Sequence, residues 1–184
     1  MPTESELIQL SISGDGGAFG ELYQQNLKQI YRYIFYKVGS PAEAEDLTEQ
    51  TFLKAWEAIG RFREQGVPFS AWLFRMAHNL VIDHHRTSHE AVPLDDLIDA
   101  DDGQPAPDDV VALRLDVQTL RDAIARLTPE QQQVIILRFI QGMSHGEVAV
   151  IMGKHEGAIR GLQHRALEAL RELLAGRIGA DEQI

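Results

Sequence analysis

The sequence predicts an all-α protein: two small helical domains joined by an acidic flexible linker, the C-terminal one containing a helix-turn-helix. Three observations predict it. Apolar residues recur at the 3.6-residue helical period in one segment after another, with no convincing strand between them. The segments are bounded by helix signals, Ser or Thr followed three residues later by Glu or Gln at the front and Gly at the rear. Residues 88–109, SHEAVPLDDLIDADDGQPAPDD, instead concentrate Pro, Gly and Asp with little apolar periodicity, as a linker does.

Within the first domain, residues 1–87, Thr3 and Glu6 have capping-box spacing and open a short helix that Gly14, Gly16 and Gly17 end. From Ala18, the residues Phe19, Leu22, Tyr23, Leu27, Ile30, Tyr31, Ile34 and Val38 keep the helical period until Gly39. Ser40, Pro41 and Glu43 then supply a cap, a first-turn proline and a capping-box glutamate for a third helix. Its apolar face is Ala44, Leu47, Thr51, Phe52, Ala55 and Ile59, and it is expected to pack antiparallel to the second. A loop follows Gly60, and Ser70 is the expected cap of a fourth helix with Trp72, Leu73, Met76, Leu80 and Val81 along one side.

The second domain, residues 110–177, opens with Val110, Leu113, Val117, Leu120, Ile124 and Leu127 at helical spacing. Thr128, Pro129 and Gln131 start the next helix, which holds Val134, Leu137 and Ile140 and stops at Gly142. Ser144 and Glu147 then cap a short helix with Val148, Ile151 and Met152 on its apolar face, and Gly153 turns the chain. Ile159, Leu162, Ala166, Leu170 and Leu173 form the packing face of the last helix, and residues 178–184 read as a fraying tail. Ala149, Gly153, Ile159 and Leu162 occupy the small, turn and core positions of a helix-turn-helix, whose second helix enters the DNA major groove. The alternative for this stretch is a plain helical hairpin with a solvated outer face.

Composition narrows the function. A chain of 184 residues that is 44% hydrophobic suits one or two compact domains. It has no cysteine, which excludes disulfides and cysteine–zinc sites and fits a reducing cytoplasm. No apolar run approaches the ~20 residues of a membrane span, and MPTESELIQL lacks a signal peptide's basic and apolar regions. A cytoplasmic protein without membrane insertion is expected.

The net charge of −11 argues against a nucleic-acid partner until its distribution is considered. Residues 88–113 alone contribute −8, whereas residues 1–87 contribute −3 and residues 114–184 are neutral. Lys154 to Arg177 holds five basic residues against three acidic ones, so the proposed DNA-facing helix is mildly basic. In the first domain, the loop Arg61 to Phe69, RFREQGVPF, lies beside a helix bearing Arg75, His78, Asn79, Asp83 and Arg86. Such a set of aromatic and basic groups can hold single-stranded bases by stacking and phosphate contact. The alternative is that Phe62, Phe69 and Trp72 are core residues.

Four strings, in order, make the chain recognisable: AFGELYQQNLKQIYRYI, AEAEDLTEQTFLKAWEAIGRF, FSAWLFRMAHNLVIDHHR and LTPEQQQVIILRFIQGMSHGEVAVIMGKHEGAIRGLQHRALEALREL. Together they resemble a bacterial RNA polymerase sigma factor of the extracytoplasmic-function (ECF, group 4) type. The resemblance implies a subunit without catalytic chemistry, cofactor or metal that binds core RNA polymerase at its clamp helices and flap. It implies promoter DNA as the second partner, single-stranded at −10 and duplex at −35, and often an inhibitory anti-sigma factor as a third.

Residue by residue, the resemblance assigns polymerase binding to Asp46, Glu49, Gln50 and Phe52, facing the clamp or shaping its surface. It assigns the −10 strand to the loop residues Arg61, Phe62, Arg63 and Phe69, with Trp72, Arg75, Asn79 and Arg86 on the helix beside it. Asp83 is read as an internal partner for a neighbouring arginine. At −35, His155, Glu156, Arg160 and His164 face the major groove while Lys154 and Arg165 meet phosphate. Arg160 is the leading base reader, since an arginine gripping guanine bidentately gives about 1–3 kcal/mol of discrimination. The linker's charge implies a segment lying in polymerase channels otherwise occupied by RNA.

There are departures from the family. Where its string is close to GTVKSRLHRA this chain has GAIRGLQHRA, so Gly161, Leu162 and Gln163 replace Ser, Arg and Leu, and His78 stands where Arg is common. Two other readings compete. A polymerase-independent helix-turn-helix regulator would not need the first domain's loop or the acidic linker. A metal-dependent hydrolase would use Asp83, His84 and His85 with His78 and His89, but adjacent helix residues point about 100° apart and no further acidic cluster accompanies them.

Overall fold

A computed structural model describes residues 1–91 and 108–181. Eight helices lie within those residues: α1 (Glu4–Ile12), α2 (Gly16–Val38), α3 (Pro41–Ala58), α4 (Phe69–Ala91), α5 (Asp108–Ala125), α6 (Pro129–Ile135), α7 (His145–Met152) and α8 (Glu156–Asp181). A 3₁₀ turn at Ile59–Arg61 extends α3, and a π turn at Ile136–Ile140 extends α6. The fold is all-α, with α1–α4 and α5–α8 as its two helical regions.

Local chemistry sets the helix ends. At Thr3, Thr128 and Ser144 the hydroxyl accepts from the backbone three residues on, and the Glu or Gln there accepts from the cap's own N–H, so three complete capping boxes form. Gly39 (φ 86°) and Gly153 (φ 64°) end α2 and α7 in the left-handed region. Asp15 was not foreseen as a cap: its Oδ1 accepts from Gly17 N at 2.9 Å and Ala18 N at 3.1 Å, so α2 begins before the apolar period does.

Four boundaries or caps differ from expectation. Glu43 does not complete a capping box, because its carboxylate reaches His84 on α4 at 3.3 Å while Ser40 alone caps α3. Ser70 is not a cap but a first-turn residue, since α4 starts at Phe69. Helices α4 and α5 enter the expected linker at both ends, and its remainder, residues 92–107, lies outside the described residues. Helix α8 runs on through Asp181 where a tail was expected, and residues 182–184 lie outside the described residues.

In the first domain α2 packs antiparallel on α3, and α1 and α4 close the bundle around Leu22, Ile30, Ile34, Phe69, Leu73 and Phe74, all at most 1% exposed. In the second, α6 and α7 pack on α8 through Val134, Leu137, Val148, Ile159 and Ala166, all fully buried. The two cores meet, with α4 against α7 and α2 against α5 and the π turn.

The seam between them is largely polar. Arg75 Nε on α4 donates to Ile151 O at 3.2 Å and its Nη2 to Val150 O, at the carboxyl end of α7. Those carbonyls belong to the last turn of the helix and have no partner within it. Gln141 Nε2 donates to Gln29 O at 3.0 Å. Arg121 on α5 stacks on the Phe35 ring at 4.1 Å, and a Cβ on Gly39 would meet its Nη2 at 2.8 Å. Gly39 is thus held both by its backbone angle and by this close approach.

Candidate nucleic-acid interface

Three surfaces carry the residues the sequence singled out. On α8 and the turn before it, Ile159, Leu162, Ala166 and Leu170 face inward, which leaves Lys154, His155, Glu156, Arg160, His164 and Arg165 all exposed. Their ion pairs are surface ones: Arg160 Nη2 to Glu156 Oε2 at 3.3 Å, Lys154 Nζ to Glu130 Oε1 at 2.8 Å, and His164 Nε2 to Glu168 Oε1 at 3.4 Å when the imidazole is protonated. Exposed pairs of this kind contribute at most about 1 kcal/mol, so these side chains can exchange partners for a base edge or phosphate at little cost.

Gln163 is different. Its Oε1 accepts from Arg138 Nε at 2.9 Å and sits 2.9 Å from His145 Nε2, a bond that needs the proton on Nε2. Arg138 also donates to Met143 O. The recognition helix is thereby tied to the π turn and to the first residue of α7. This role was not foreseen, because the sequence marks Gln163 only as a departure from the family string.

The second surface lies on the 61–69 loop and α4. Phe62, Phe69 and Trp72 form a three-ring cluster with centroids 5.0–5.7 Å apart. Phe62 and Phe69 are 5% and 1% exposed, so in this arrangement they underpin the loop rather than present a face to a base, while Trp72 is half-buried. Arg61 and Arg63 are exposed, and Arg63 Nη1 steadies the loop by donating to Gly60 O and Phe62 O at 3.1 and 2.9 Å.

Beside the loop is an open cleft of about 390 Å³ lined by Lys54, Glu57, Arg61, Met76, Asn79 and Leu80. It brings Arg61 and Asn79 together, with Asn79 exposed at its edge. Arg86 pairs with Asp83 at 2.6 Å, the internal partnership the sequence indicated. Arg75 is not on this cleft; its guanidinium is turned into the domain seam.

The third surface is the outer face of α3. Asp46, Glu49 and Gln50 are exposed, and Gln50 Nε2 donates to Asp46 Oδ2 at 2.8 Å. Phe52 is buried at 4% and meets Tyr23 edge-to-face at 4.7 Å, so it supports this face from beneath. Leu53 and Trp56, 58% and 36% exposed, continue the face and were missed. The signal was available: both are large apolar residues off the helix's apolar stripe.

At the seam, buried Tyr33 and Lys37 form a polar cluster with half-buried His78. His78 Nδ1 is 3.0 Å from Lys37 Nζ and 3.3 Å from Tyr33 Oη, and Tyr33 also bonds Gln133 across the seam. Burial raises the Tyr33 phenol well above its usual range and lowers the Lys37 ammonium to about 8. Burial, with the neighbouring Lys37 charge, lowers the His78 imidazole to about 4. The histidines thus engage other groups: His78 takes Lys37, His84 takes Glu43, and Asp83 takes Arg86. His89 falls outside the described side chains. Among the described residues no group of three or more His, Asp or Glu is placed to hold a metal ion, and no helix is long and apolar enough to cross a membrane.

Comparison with known proteins identifies the two regions of the chain on which these surfaces lie. Residues 22–90 match Sigma-70 region 2 and residues 123–172 match Sigma-70 region 4. The chain is 46% identical over 171 residues to the ECF RNA polymerase sigma factor BldN of Streptomyces coelicolor, covering 92% of this chain and 65% of that one. It therefore spans about two thirds of that relative's length. It is 30% identical to the ECF RNA polymerase sigma factor SigL of Mycobacterium tuberculosis over 82% of this chain and 85% of that one. Its fold is similar to that of CnrH in complex with the cytosolic domain of CnrY, with a TM-score of 0.68 and 27% identity over 92% of this chain and 96% of the other.

Proposed function

Because the chain belongs to the ECF RNA polymerase sigma factors, we propose that it binds core RNA polymerase and directs it to promoters, reading −35 as duplex and −10 as an unpaired strand. The observation that carries this reading is the presence, in one chain, of an exposed six-residue face on α8 and the turn before it and a cleft joining Arg61 to Asn79. The first suits a major groove, where Arg160 grips a guanine edge and Lys154 and Arg165 meet phosphates. The second has room for an unstacked base, with Asn79 able to pair with its edge and Arg61 with its phosphate.

In this reading Phe62 and Phe69 shape the loop from beneath, and Trp72, Arg63, Arg75 and Arg86 border the strand. Asp46, Glu49 and Gln50 meet the polymerase clamp helices, joined by Leu53 and Trp56 and backed by Phe52. The second domain meets the flap. An inhibitory anti-sigma factor covering these faces is the expected regulator; CnrH, whose fold is similar, was itself solved with a protein partner, the cytosolic domain of CnrY.

The test is in vitro transcription with core polymerase on a library of genomic fragments. Site-selective starts that share two upstream elements are expected, and Arg160→Ala should lower affinity for the −35 duplex about tenfold or more while leaving core binding intact. A chain that neither binds core polymerase nor confers selective initiation overturns the proposal.

A further inference from the structure

Two neighbouring positions on α8 exchange character relative to the string this segment resembles. Leu162 stands in place of an arginine and Gln163 in place of a leucine. Leu162 is 6% exposed and belongs to the packing face, so the polar side chain has moved one residue along the helix. Gln163 follows Arg160 by three residues and Glu156 by seven. At about 100° per residue it therefore lies roughly 60° from Arg160 and roughly 20° from Glu156 around the helix axis. Both of those residues are exposed on the face assigned to the major groove, and half-buried Gln163 borders it.

The amide of Gln163 has one orientation open to it. Arg138 Nε donates to Oε1 at 2.9 Å, and a guanidinium only donates, so the atom facing it must be the oxygen. His145 Nε2 lies 2.9 Å from the same oxygen, and its proton occupies the second lone pair. Arg138 is itself fixed by donating to Met143 O. Turning the amide over would set its NH2 group against two other donors. Nε2 is therefore held on the far side, where it has no acceptor among the described residues. Among those residues the one buried side-chain nitrogen or oxygen without a partner is Arg121 Nε, so Gln163 Nε2 opens to solvent.

We propose that Gln163 is a further specificity-determining residue of the −35 reader: its amide, locked as a donor, selects a keto base, guanine or thymine, on one strand of the major groove.

An unconstrained glutamine pairs with adenine through both ends of its amide, accepting from N6 and donating to N7. Here the oxygen is occupied inside the protein, so an amino group on the base edge meets no acceptor. Guanine, with O6 and N7, and thymine, with O4, present acceptors that Nε2 can reach as a pure donor. Leu162, turned into the core, contributes nothing to DNA, and the next residue restores a donor to that part of the helix.

This inference rests on the reading of α8 as the helix that reads −35, and holoenzyme assembled from core polymerase and the full chain tests it. Selection from a promoter library randomised across the −35 element should return, at one base pair, a keto base on a fixed strand, preferred about fivefold or more over the reversed pair. The base recovered there distinguishes guanine from thymine. Gln163→Glu keeps an acceptor for Arg138 and His145 and turns a second acceptor outward. Its holoenzyme should bind its own selected element as well as the unmodified one binds its own, with the keto and amino bases of that pair exchanged between strands, because a carboxylate accepts from cytosine N4 or adenine N6. Gln163→Leu should show no preference at that pair.

A Gln163→Glu holoenzyme that keeps the original base preference, or that loses −35 selection altogether, overturns the proposal and leaves Gln163 a structural tie between α8 and the π turn. An unmodified holoenzyme that selects no −35 sequence overturns the reading of α8 itself, and this inference with it, so the two failures are distinguishable.

Discussion

Arg138 and His145 converge on a single acceptor, the side-chain oxygen of Gln163, each at 2.9 Å. A leucine in that position, as in the string this segment resembles, would leave both donors to water. Gln163→Leu is therefore expected to lower the stability of the second domain by about 1 kcal/mol and to weaken −35 binding, whereas Gln163→Glu keeps the acceptor and should retain both. Urea unfolding and duplex titration of the two variants check this.

Neighbouring residues on α3 should behave oppositely. Phe52→Ala empties a site beneath the surface and is expected to cost about 3–5 kcal/mol of stability. Leu53→Ser with Trp56→Ala removes exposed apolar surface, so stability should change little while affinity for core polymerase falls at least about tenfold. Thermal unfolding alongside a polymerase-binding titration separates the two effects.

The cleft makes a similar distinction in the first domain. Asn79→Ala and Arg61→Ala should leave folding intact and reduce strand opening at −10, measured by permanganate reactivity of unpaired thymines. Phe69→Ala should instead unfold the domain, because Phe69 lies at 1% exposure among Phe62 and Trp72 and such truncations cost about 3–5 kcal/mol.

Acidity should open the seam. His78 is held near 4 in the closed state, while an exposed imidazole titrates near its ordinary value of about 6.5. Between those values the open state binds the extra proton, so closure is stable above about pH 6.5 and is progressively lost as pH falls towards 4. The groups facing His78 are Lys37 and Tyr33 from α2, Arg75 and Asn79 from α4, Gln133 from α6 and the Ile151–Gly153 end of α7. None of them is an acid that would counter the new charge. Energy transfer between dyes on Glu21→Cys of α2 and Glu172→Cys of α8, introduced into the cysteine-free chain, should fall from pH 7.5 to 5 and stay flat when His78→Asn is added.

Much of the fold was legible because helix ends are a local matter. Thr3, Thr128, Ser144, Gly39 and Gly153 act within one turn of themselves, and their roles followed from spacing alone. The six exposed residues around α8 came from the family resemblance, and the phase of Ile159, Leu162 and Ala166 agrees with their lying off the packing face. Failures occurred where a side chain had a choice of partner distant in sequence. Glu43 could cap its own helix or reach His84, and Gln163 could face solvent or gather two donors. Phe62 and Phe69 could lie outside or inside, and only the packed cluster decides it. Arg75 sits on a polar helix face that reads as solvent-exposed, and nothing local in the string shows that the end of α7 will cover it.

The π turn at Ile136–Ile140 carries a lesson for anyone building hybrids from this protein. One residue more than a regular helix allows is accommodated there, with Gln141 N bonded to Ile136 O, so each side chain beyond it is rotated by about 100° from its helical-wheel position. Splicing a relative's sequence into the middle of this stretch risks a phase error that turns Phe139 inward and pulls Arg138 away from Gln163. Fusion joints belong upstream of Val134 or after Gly142, where the helix has ended.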